Sequence, residues 1–195
     1  MMPKYWIKRF TTNRIEKENA LIRLFITLLS LNILLSNVSA NETQDLVTFK
    51  LEDQFGVKTT EEDVSGKIVI LIGSGKEGSE YNAVWGKTIH DSLNADDGYE
   101  DIVFLPLADL RGVPFFMKSF VKSRFPKEAE KRVLLDWKGD IPKAYDFAPD
   151  SSNVLVFDRA GKLIFRTHGL QPAQDQIDPL ISAVRDAMAN KPEEK

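Results

Sequence analysis

The stretch Arg132–Leu170, RVLLDWKGDIPKAYDFAPDSSNVLVFDRAGKLIFRTHGL, carries the clearest information about the fold. It contains two Asp-x-x-Gly turns, Asp136–Gly139 and Asp158–Gly161, each of which follows a short apolar run. Aspartate accepts hydrogen bonds from the backbone that follows it, and glycine adopts positive φ without steric cost. The second turn lies between Val154–Phe157 and Lys162–Arg166, which are both typical of strands, and it therefore predicts a β-hairpin.

Outward from this hairpin, strand-like and helix-like segments alternate along the chain. Leu46–Leu51 alternates apolar and polar residues, whereas Ile68–Ile72 and Ile102–Leu107 are continuous apolar runs typical of strands buried on both faces. Such alternation predicts an α/β domain with a mixed central sheet and helices on both faces. A third short strand is predicted over Val133–Leu135, and the predicted helices span Ser79–Leu93, Val113–Phe125, Ile141–Phe147 and Ala173–Ala189.

The first 40 residues have the features of an export signal. Basic residues precede the apolar run Leu24–Leu35, and Val38-Ser39-Ala40 suits a signal peptidase. We therefore predict a signal peptide over residues 1–40 with cleavage after Ala40, a periplasmic location, and no stable membrane insertion after cleavage. The apolar run is shorter than the roughly 20 residues of a membrane span, although a retained signal anchor is the alternative. After the signal peptide, we predict one domain over residues 41–190 and a charged tail over residues 191–195.

Charge and composition restrict the classes of function. Residues 41–195 contain 20 Lys and Arg against 27 Asp and Glu, a net charge of −7. This sign disfavours nucleic acids and anionic membrane surfaces as partners. The chain has no cysteine, which leaves thiol redox catalysis close to excluded, because the thiolate is the nucleophile of that chemistry. The two histidines lack the spacing of a metal site, so we expect neither a metal nor a cofactor.

The layout resembles the thioredoxin fold in its peroxiredoxin or thiol-disulfide reductase variety. Within that superfamily the chain is similar to the YtfJ-like family of periplasmic proteins, which shares the long leader, the cysteine-free loop and the segment around Val113–Lys118. The resemblance implies a thioredoxin-like mixed sheet with an N-terminal β extension, and it implies no particular reaction. The matching pieces are Phe49-x-Leu51-x-Asp53-x-x-Gly56, Gly66-Lys67 before a strand, Leu134-Leu135-Asp136-x-x-Gly139-x-x-x-x-Ala144-Tyr145, and Val154-x-Val156-x-Asp158-x-x-Gly161-Lys162.

Two departures from the redox members of that superfamily concern the site. Their Cys-x-x-Cys motif would fall at about Gly78-Ser79-Glu80-Tyr81, where this chain offers a serine hydroxyl instead of a thiol. Their cis-proline would fall near Ser152, but the nearest proline here is Pro149, three residues earlier. The resemblance therefore implies that Ser79, Tyr81 and Ser152 line a groove without redox activity.

A glycine-rich loop opens a second possibility. Gly73-Ser-Gly75-Lys-Glu-Gly78 matches the G-x-G-x-x-G fingerprint between a predicted strand and a predicted helix, where backbone N–H groups can hold a phosphate or another anion. The acidic residue that binds a ribose is expected about 20 positions after the first glycine, whereas Asp109 lies 36 positions after Gly73. Dinucleotide binding is therefore disfavoured, while a simpler anion site stays open.

Two further features are candidates for binding. The segment Phe115–Val121 has more large apolar residues than one helical stripe can bury. With Phe116, Phe120 and Val121 directed inward, Phe115 or Met117 would point outward as a docking patch; the alternative is a second layer that covers them. His168 follows the hairpin, where it either closes the turn into the last helix or takes part in binding.

These observations favour two hypotheses of function, and a third, an envelope stress or structural protein with no specific ligand, stays open. The first is a non-catalytic, thioredoxin-like binding module of the periplasm whose partner is a protein or a peptide. The second is a cysteine-independent enzyme, or a nucleotide- or anion-binding protein, that uses the Gly73–Gly78 loop. The candidate binding residues are Gly73, Gly75, Gly78, Ser79, Tyr81, Phe115, Met117, Ser152 and His168.

Overall fold

The computed structural model describes residues 45–190, so the predicted signal peptide, its cleavage after Ala40 and the tail over 191–195 lie outside the described residues. The strands are β1 (Lys50–Asp53), β2 (Lys58–Thr60), β3 (Ile68–Ser74), β4 (Ile102–Asp109), β5 (Leu134–Asp136), β6 (Ser152–Phe157) and β7 (Leu163–Gly169). The α-helices are α1 (Ser79–Leu93), α2 (Lys118–Lys122), α3 (Asp140–Ala144) and α4 (Gln174–Ala189). Short 3-10 helices span Glu62–Val64, Tyr99–Asp101 and Phe115–Met117. Within residues 45–190, none of the helices is long and apolar enough to span a bilayer.

The seven strands form one mixed sheet in the order β2-β1-β5-β4-β3-β6-β7. Strand β3 pairs in parallel with β4 on one side and antiparallel with β6 on the other. All seven residues of β3 are buried, as its continuous apolar run predicts. The predicted α/β architecture with a mixed sheet and helices on both faces is confirmed.

Two cores lie on opposite faces of the sheet. On one face, α1 and α4 pack on β3 and β6, and the indole N–H of Trp85 donates to the carbonyl of Gly169 at 3.1 Å. On the other face, Tyr145 and Phe157 meet edge to face with their ring centroids 5.4 Å apart. The helix predicted over Ala173–Ala189 is present as α4, and its apolar side chains recur on one face and are buried: Ile177, Leu180, Ile181, Val184 and Met188.

The Asp158–Gly161 turn joins β6 and β7 as predicted. Its carboxylate oxygen Oδ1 accepts the backbone N–H groups of Ala160 and Lys162, both at 2.9 Å. Gly161 has φ +78°, a conformation that side-chain-bearing residues rarely adopt. The carboxylate therefore accepts hydrogen bonds from backbone N–H groups that a tight turn leaves without a backbone acceptor. The glycine allows the chain to reverse.

An aspartate and a glycine form a second hairpin in the same way, and this hairpin was not predicted from the sequence. Asp53 Oδ1 accepts the N–H groups of Phe55 at 2.8 Å and Val57 at 2.9 Å, and Gly56 has φ +85°. The turn joins β1 to β2, and β2 is absent from the predicted strands because its three residues, Lys58–Thr60, are too few to show a period. The predicted strand over 46–51 is also displaced, since β1 begins at residue 50.

The predicted helix over Val113–Phe125 is wrong. The segment forms the 3-10 turn Phe115–Met117 followed by only five residues of α-helix, and Phe116 and Phe120 are exposed by 81% and 51% rather than directed inward. Its large apolar residues are consecutive, so no rotation of a helix places them all on one face. Pro126 prevents a helix from continuing beyond Phe125.

An ion pair between the buried Asp53 and the partly exposed Arg132 connects the β1–β2 turn to the segment before β5. Asp53 is completely buried, and its Oδ2 accepts a hydrogen bond from Arg132 Nε. Next to it, Gln54 Oε1 accepts the Val133 N–H at 2.9 Å. Burial raises the pKa of Asp53, but the hydrogen bond from Arg132 and those from the backbone outweigh it, so the pKa lies below its ordinary value.

We expect Asp53→Asn to lower the free energy of unfolding by about 1.5–3 kcal/mol near neutral pH, because an amide NH2 group cannot accept the hydrogen bond from Arg132 and the negative charge is lost. Since the pKa of Asp53 is lowered on folding, its stabilisation is present above the unfolded pKa and is lost as pH falls through the folded one. Urea unfolding from about pH 6 down to about pH 3 checks this. The gap between wild type and variant should narrow toward acid pH; a gap independent of pH contradicts the assignment.

Candidate functional site

The position of the redox motif in thioredoxin-like proteins lies where β3 ends and α1 begins. Three polar side chains meet there in a hydrogen-bonded chain. The Ser152 hydroxyl donates to Asn82 Oδ1 at 2.6 Å, and Asn82 Nδ2 donates to Ser74 Oγ at 2.9 Å. Ser74 and Ser152 are both buried, with 2% and 0% of their surfaces exposed. Hydroxyl and amide groups that are bonded to one another thus occupy this position.

The two other residues predicted at the start of α1 lie outside this chain. Ser79 is exposed, and its hydroxyl donates to the carbonyl of Lys76 at 2.6 Å. Tyr81 is half-buried and packs against the core under α1 and α4. A hydrogen bond to Glu80, together with the negative charge of Glu80, raises the pKa of the Tyr81 phenol. Tyr81 is therefore a packing residue that keeps its proton at neutral pH.

Packing explains two of the three glycines in the G-x-G-x-x-G match. Gly73 lies inside β3, and a Cβ there would be 2.8 Å from the ring of Phe147. A Cβ on Gly78 would be 2.3 Å from the carbonyl oxygen of Ser151, closer than any real contact allows. Gly75 has open space around it, with the nearest atom, on Glu77, 3.9 Å away. The close approach of α1 to the segment before β6 thus requires Gly78.

The segment before β6 is held by a buried asparagine that the sequence analysis missed. Asn153 Nδ2 donates to the carbonyls of Ala148 at 3.0 Å and Ser151 at 3.2 Å, and its Oδ1 accepts the Ala148 N–H at 2.8 Å. Among residues 45–190 every peptide bond is trans, so Pro149 does not take the place of the cis-proline. A polar residue directly before the apolar run of β6 was the available signal.

A large open cleft of about 1540 Å³ starts beside this polar chain. Its floor is the face of β3 and β4, where Ile72, Phe104 and Pro106 line it. One wall is α1, which contributes Ala83 and Gly86, and the opposite wall is the segment around α2. The residues of that second wall are Val113, Val121 and Phe125.

The rim of the cleft is polar and carries charges of both signs. Lys87 and His90 line it from α1, and Asp109 and Arg111 line it from the end of β4. Asp109 Oδ2 lies 2.6 Å from a guanidinium nitrogen of Arg111, so these two charges neutralise each other. His90 Nδ1 lies 3.2 Å from Asp91 Oδ1, which gives the histidine a partner on its own helix.

The structure separates the remaining predicted residues from the cleft. Phe115 is exposed by 85% and Met117 is half-buried, and neither lines the cleft. His168 is an exposed residue of β7, paired with Asn153 in the sheet, and its carbonyl accepts Gln176 Nε2 at 3.1 Å. Of the predicted residues, Gly75 and Ser79 line the cleft, while Gly73, Gly78 and Ser152 form its support.

The arrangement offers binding surface rather than an activated nucleophile. The Ser152 hydroxyl donates to an amide oxygen, which cannot accept its proton as a general base does in acyl transfer. The chain has no thiol to form a thiolate. What the site provides is an apolar floor between polar edges, the general form of a binding cleft.

Solved structures of thioredoxin-like thiol:disulfide proteins share this architecture. A candidate thiol:disulfide interchange protein, DsbE, from Chlorobium tepidum superposes with a TM-score of 0.54 at 16% identity, over 77% of this chain and 99% of the other. The exposed lipoprotein thioredoxin of Streptococcus pneumoniae gives 0.52 at 21%, over 70% and 98%. BsSco, of the Sco family of cytochrome c oxidase assembly proteins, gives 0.52 at 15%, over 77% and 96%. At these identities the likeness establishes the fold alone.

No curated protein matches the chain. A family model described as "Bacterial protein of unknown function (YtfJ_HI0045)" matches residues 29–187, most of the sequence and nearly all of the described domain. The family and the thioredoxin-like fold expected from the sequence are both confirmed. The chain belongs to the YtfJ family of bacterial proteins, and its fold is thioredoxin-like.

Proposed function

We propose that this protein is a non-catalytic binding module of the periplasm whose cleft holds an extended segment of a partner polypeptide. The observation that carries the proposal is the open apolar cleft that begins at the Ser74–Asn82–Ser152 chain. The export features of residues 1–40 support the periplasmic location. An exported partner would meet the domain in that compartment.

The size and lining of the cleft favour a polypeptide over a small molecule. Small-molecule pockets enclose about 300–1000 Å³ and bury most of their ligand. This cleft is larger, at about 1540 Å³, and open along its length between α1 and the segment around α2. Its apolar floor would take the large side chains of a bound segment, and the polar rim would stay in contact with water and the peptide backbone.

The groups at the site support the proposal that the protein is not a catalyst. Thiol chemistry needs a cysteine, which the sequence lacks. Ser74 and Ser152 are buried and bonded to Asn82. Such a network fixes the start of α1 against β6, and its hydrogen bonds would have to break before either hydroxyl could react.

We expect Gly86→Leu to fill the cleft without disturbing the fold. Gly86 lies inside α1, and a Cβ added there meets only Ile72 Cδ1, at the ordinary contact distance of 3.6 Å. Leucine is also a better helix former than glycine, by nearly 1 kcal/mol. Binding of a fluorescently labelled, permanently unfolded carboxymethylated protein, measured by anisotropy, should be saturable for the wild type and weakened at least about tenfold in the variant, a loss of ~1.4 kcal/mol.

Gly86→Ala is the matched control, because it adds one methyl group and leaves the cleft open. It should bind as the wild type does and unfold with about 0.5–1 kcal/mol more stability. If the wild type does not bind the unfolded chain, or Gly86→Leu binds it equally well, the cleft is not a polypeptide site. Circular dichroism establishes that each variant is folded.

Thermal unfolding distinguishes this proposal from the nucleotide and anion hypothesis. We expect no change in Tm with millimolar NAD(H), NADP(H), ATP or phosphate. A ligand at 100 times its Kd would add about 2.7 kcal/mol, a shift of roughly 5–10 °C at this size. A shift that disappears in Gly75→Ala, where a methyl group meets no close atom, would assign the loop to an anion instead.

A further inference from the structure

A strongly basic segment stands out in this acidic domain. Residues 111–132 contain seven Lys and Arg and two Asp and Glu, a net charge of +5, whereas residues 41–195 as a whole carry −7. Three of the cations have carboxylate partners: Arg111 with Asp109, Lys131 with Glu128, and Arg132 with Asp53. Within residues 45–190, the other four have no carboxylate within ion-pair distance; they are Lys118, Lys122, Arg124 and Lys127.

The same segment has the most exposed aromatic side chains of the described domain. Phe115 and Phe116 are adjacent and exposed by 85% and 81%, and Phe120 is exposed by 51%. None of the three lines the cleft. Two neighbouring phenylalanines that protrude to this extent have no enclosing pocket, and an apolar phase is the environment that they can enter without a complementary groove.

Cations and rings are interleaved on this surface. Lys118 Nζ lies 5.6 Å from the centroid of Phe115 and 4.9 Å from that of Trp137. The Arg124 guanidinium lies 4.7 Å from the centroid of Phe120. These distances are those of cation–π contacts, so the positive groups stand directly around the apolar ones.

The β1–β2 turn extends the surface. Phe55 and Val57, on either side of Gly56, are exposed by 44% and 48%. Lys122 Nζ would be 4.0 Å from a Cβ on Gly56, which places the turn beside α2. We call the set Phe55, Val57, Phe115, Phe116, Phe120, Lys118, Lys122 and Arg124 the aromatic-basic surface.

We infer that the aromatic-basic surface docks on an anionic phospholipid bilayer. Cations near such a surface are attracted by the negative headgroups, and phenylalanine side chains enter the boundary between headgroups and acyl chains. The charge complements the lipid, and the protruding, ungrooved Phe115–Phe116 pair suits a fluid apolar phase better than a folded partner. This inference goes beyond the polypeptide cleft and does not depend on it.

Vesicle co-sedimentation of residues 41–195 tests the inference. This fragment lacks the apolar leader, and it contains both cores and all strands and helices of residues 45–190. We expect binding to phosphatidylcholine vesicles with about 30% phosphatidylglycerol, weak binding to pure phosphatidylcholine, and a steep loss between about 0.05 and 0.5 M NaCl. Phe115→Ser with Phe116→Ser should weaken binding at least about tenfold, because both rings leave water on docking.

Charge neutralisation gives a second, independent measure. Lys118→Gln with Lys122→Gln, neither of which lines the cleft, should weaken binding about 25-fold at low salt, since each cation near an anionic membrane contributes about fivefold. The matched controls are Lys50→Gln with Lys162→Gln, which remove two exposed cations elsewhere, and Val84→Ser with Leu170→Ser, which remove two exposed apolar side chains elsewhere. Both controls should bind as the wild type does.

Three outcomes would overturn the inference. The wild type does not sediment with anionic vesicles; or the phenylalanine and cation variants bind as well as the controls; or the Phe115 and Phe116 variant loses binding of the unfolded polypeptide while lipid binding is unchanged, which would assign the surface to a protein partner. Because Gly86→Leu blocks the cleft alone, its lipid binding should be unaffected. Failure of one proposal is therefore distinguishable from failure of the other.

Discussion

The complete burial of strand β3 determines how the rest of the domain is arranged. All seven of its residues are buried, so its apolar side chains must be covered on one face or the other. The helices α1 and α4 cover one face and α3 lies on the other, while β4 and β6 satisfy the backbone of both strand edges. The chain leaves β3 at Ser74 and enters α1 at Ser79, and both residues line the cleft at that end of the strand.

At this end of β3, the domain has hydrogen-bonded serine and asparagine side chains, where redox proteins of the same fold have thiols. A thiol pair must be partly exposed and ready to ionise, whereas Ser74 and Ser152 are buried and joined through Asn82. The close contact of Gly78 with the Ser151 carbonyl brings α1 against the segment before β6. These interactions hold the end of β3, the start of α1 and the segment before β6 in one fixed arrangement. Such rigidity favours recognition of a partner, because less conformational entropy is lost on binding.

Local patterns were sufficient for the elements whose side chains repeat with a clear period. The continuous apolar run of β3, the Asp158–Gly161 turn and the stripe of α4 each carry their own evidence in a few neighbouring residues. The strand β2 was missed because three residues show no period, and Val113–Phe125 was wrongly given a full helix because its apolar residues were assumed to be covered. Helical propensity says nothing about whether a second layer exists to cover them.

The candidate site was predictable only in part, because its chemistry depends on contacts between distant segments. The thioredoxin-like resemblance located the start of α1 and Ser152, but Asn82 and Ser152 are 70 residues apart, and no spacing rule connects them. The cleft is likewise built from β3, β4, α1 and the segment around α2, which come together only in the folded chain. Gly73 and Gly78 match an anion-binding fingerprint in the sequence, but in the fold their neighbours leave no room for a side chain, so packing explains them.

The net charge of the whole domain does not predict how a small part of its surface interacts with a partner. At physiological salt, charges are screened over about 8 Å, so a surface of a few residues interacts through its own cations and not through the −7 of residues 41–195. The +5 of residues 111–132 is therefore what an adjacent anionic surface would meet. The excess of acidic residues elsewhere would turn the rest of the domain away from that surface. Because Phe115 and Phe116 do not line the cleft, a domain docked through them would keep the cleft free for a polypeptide.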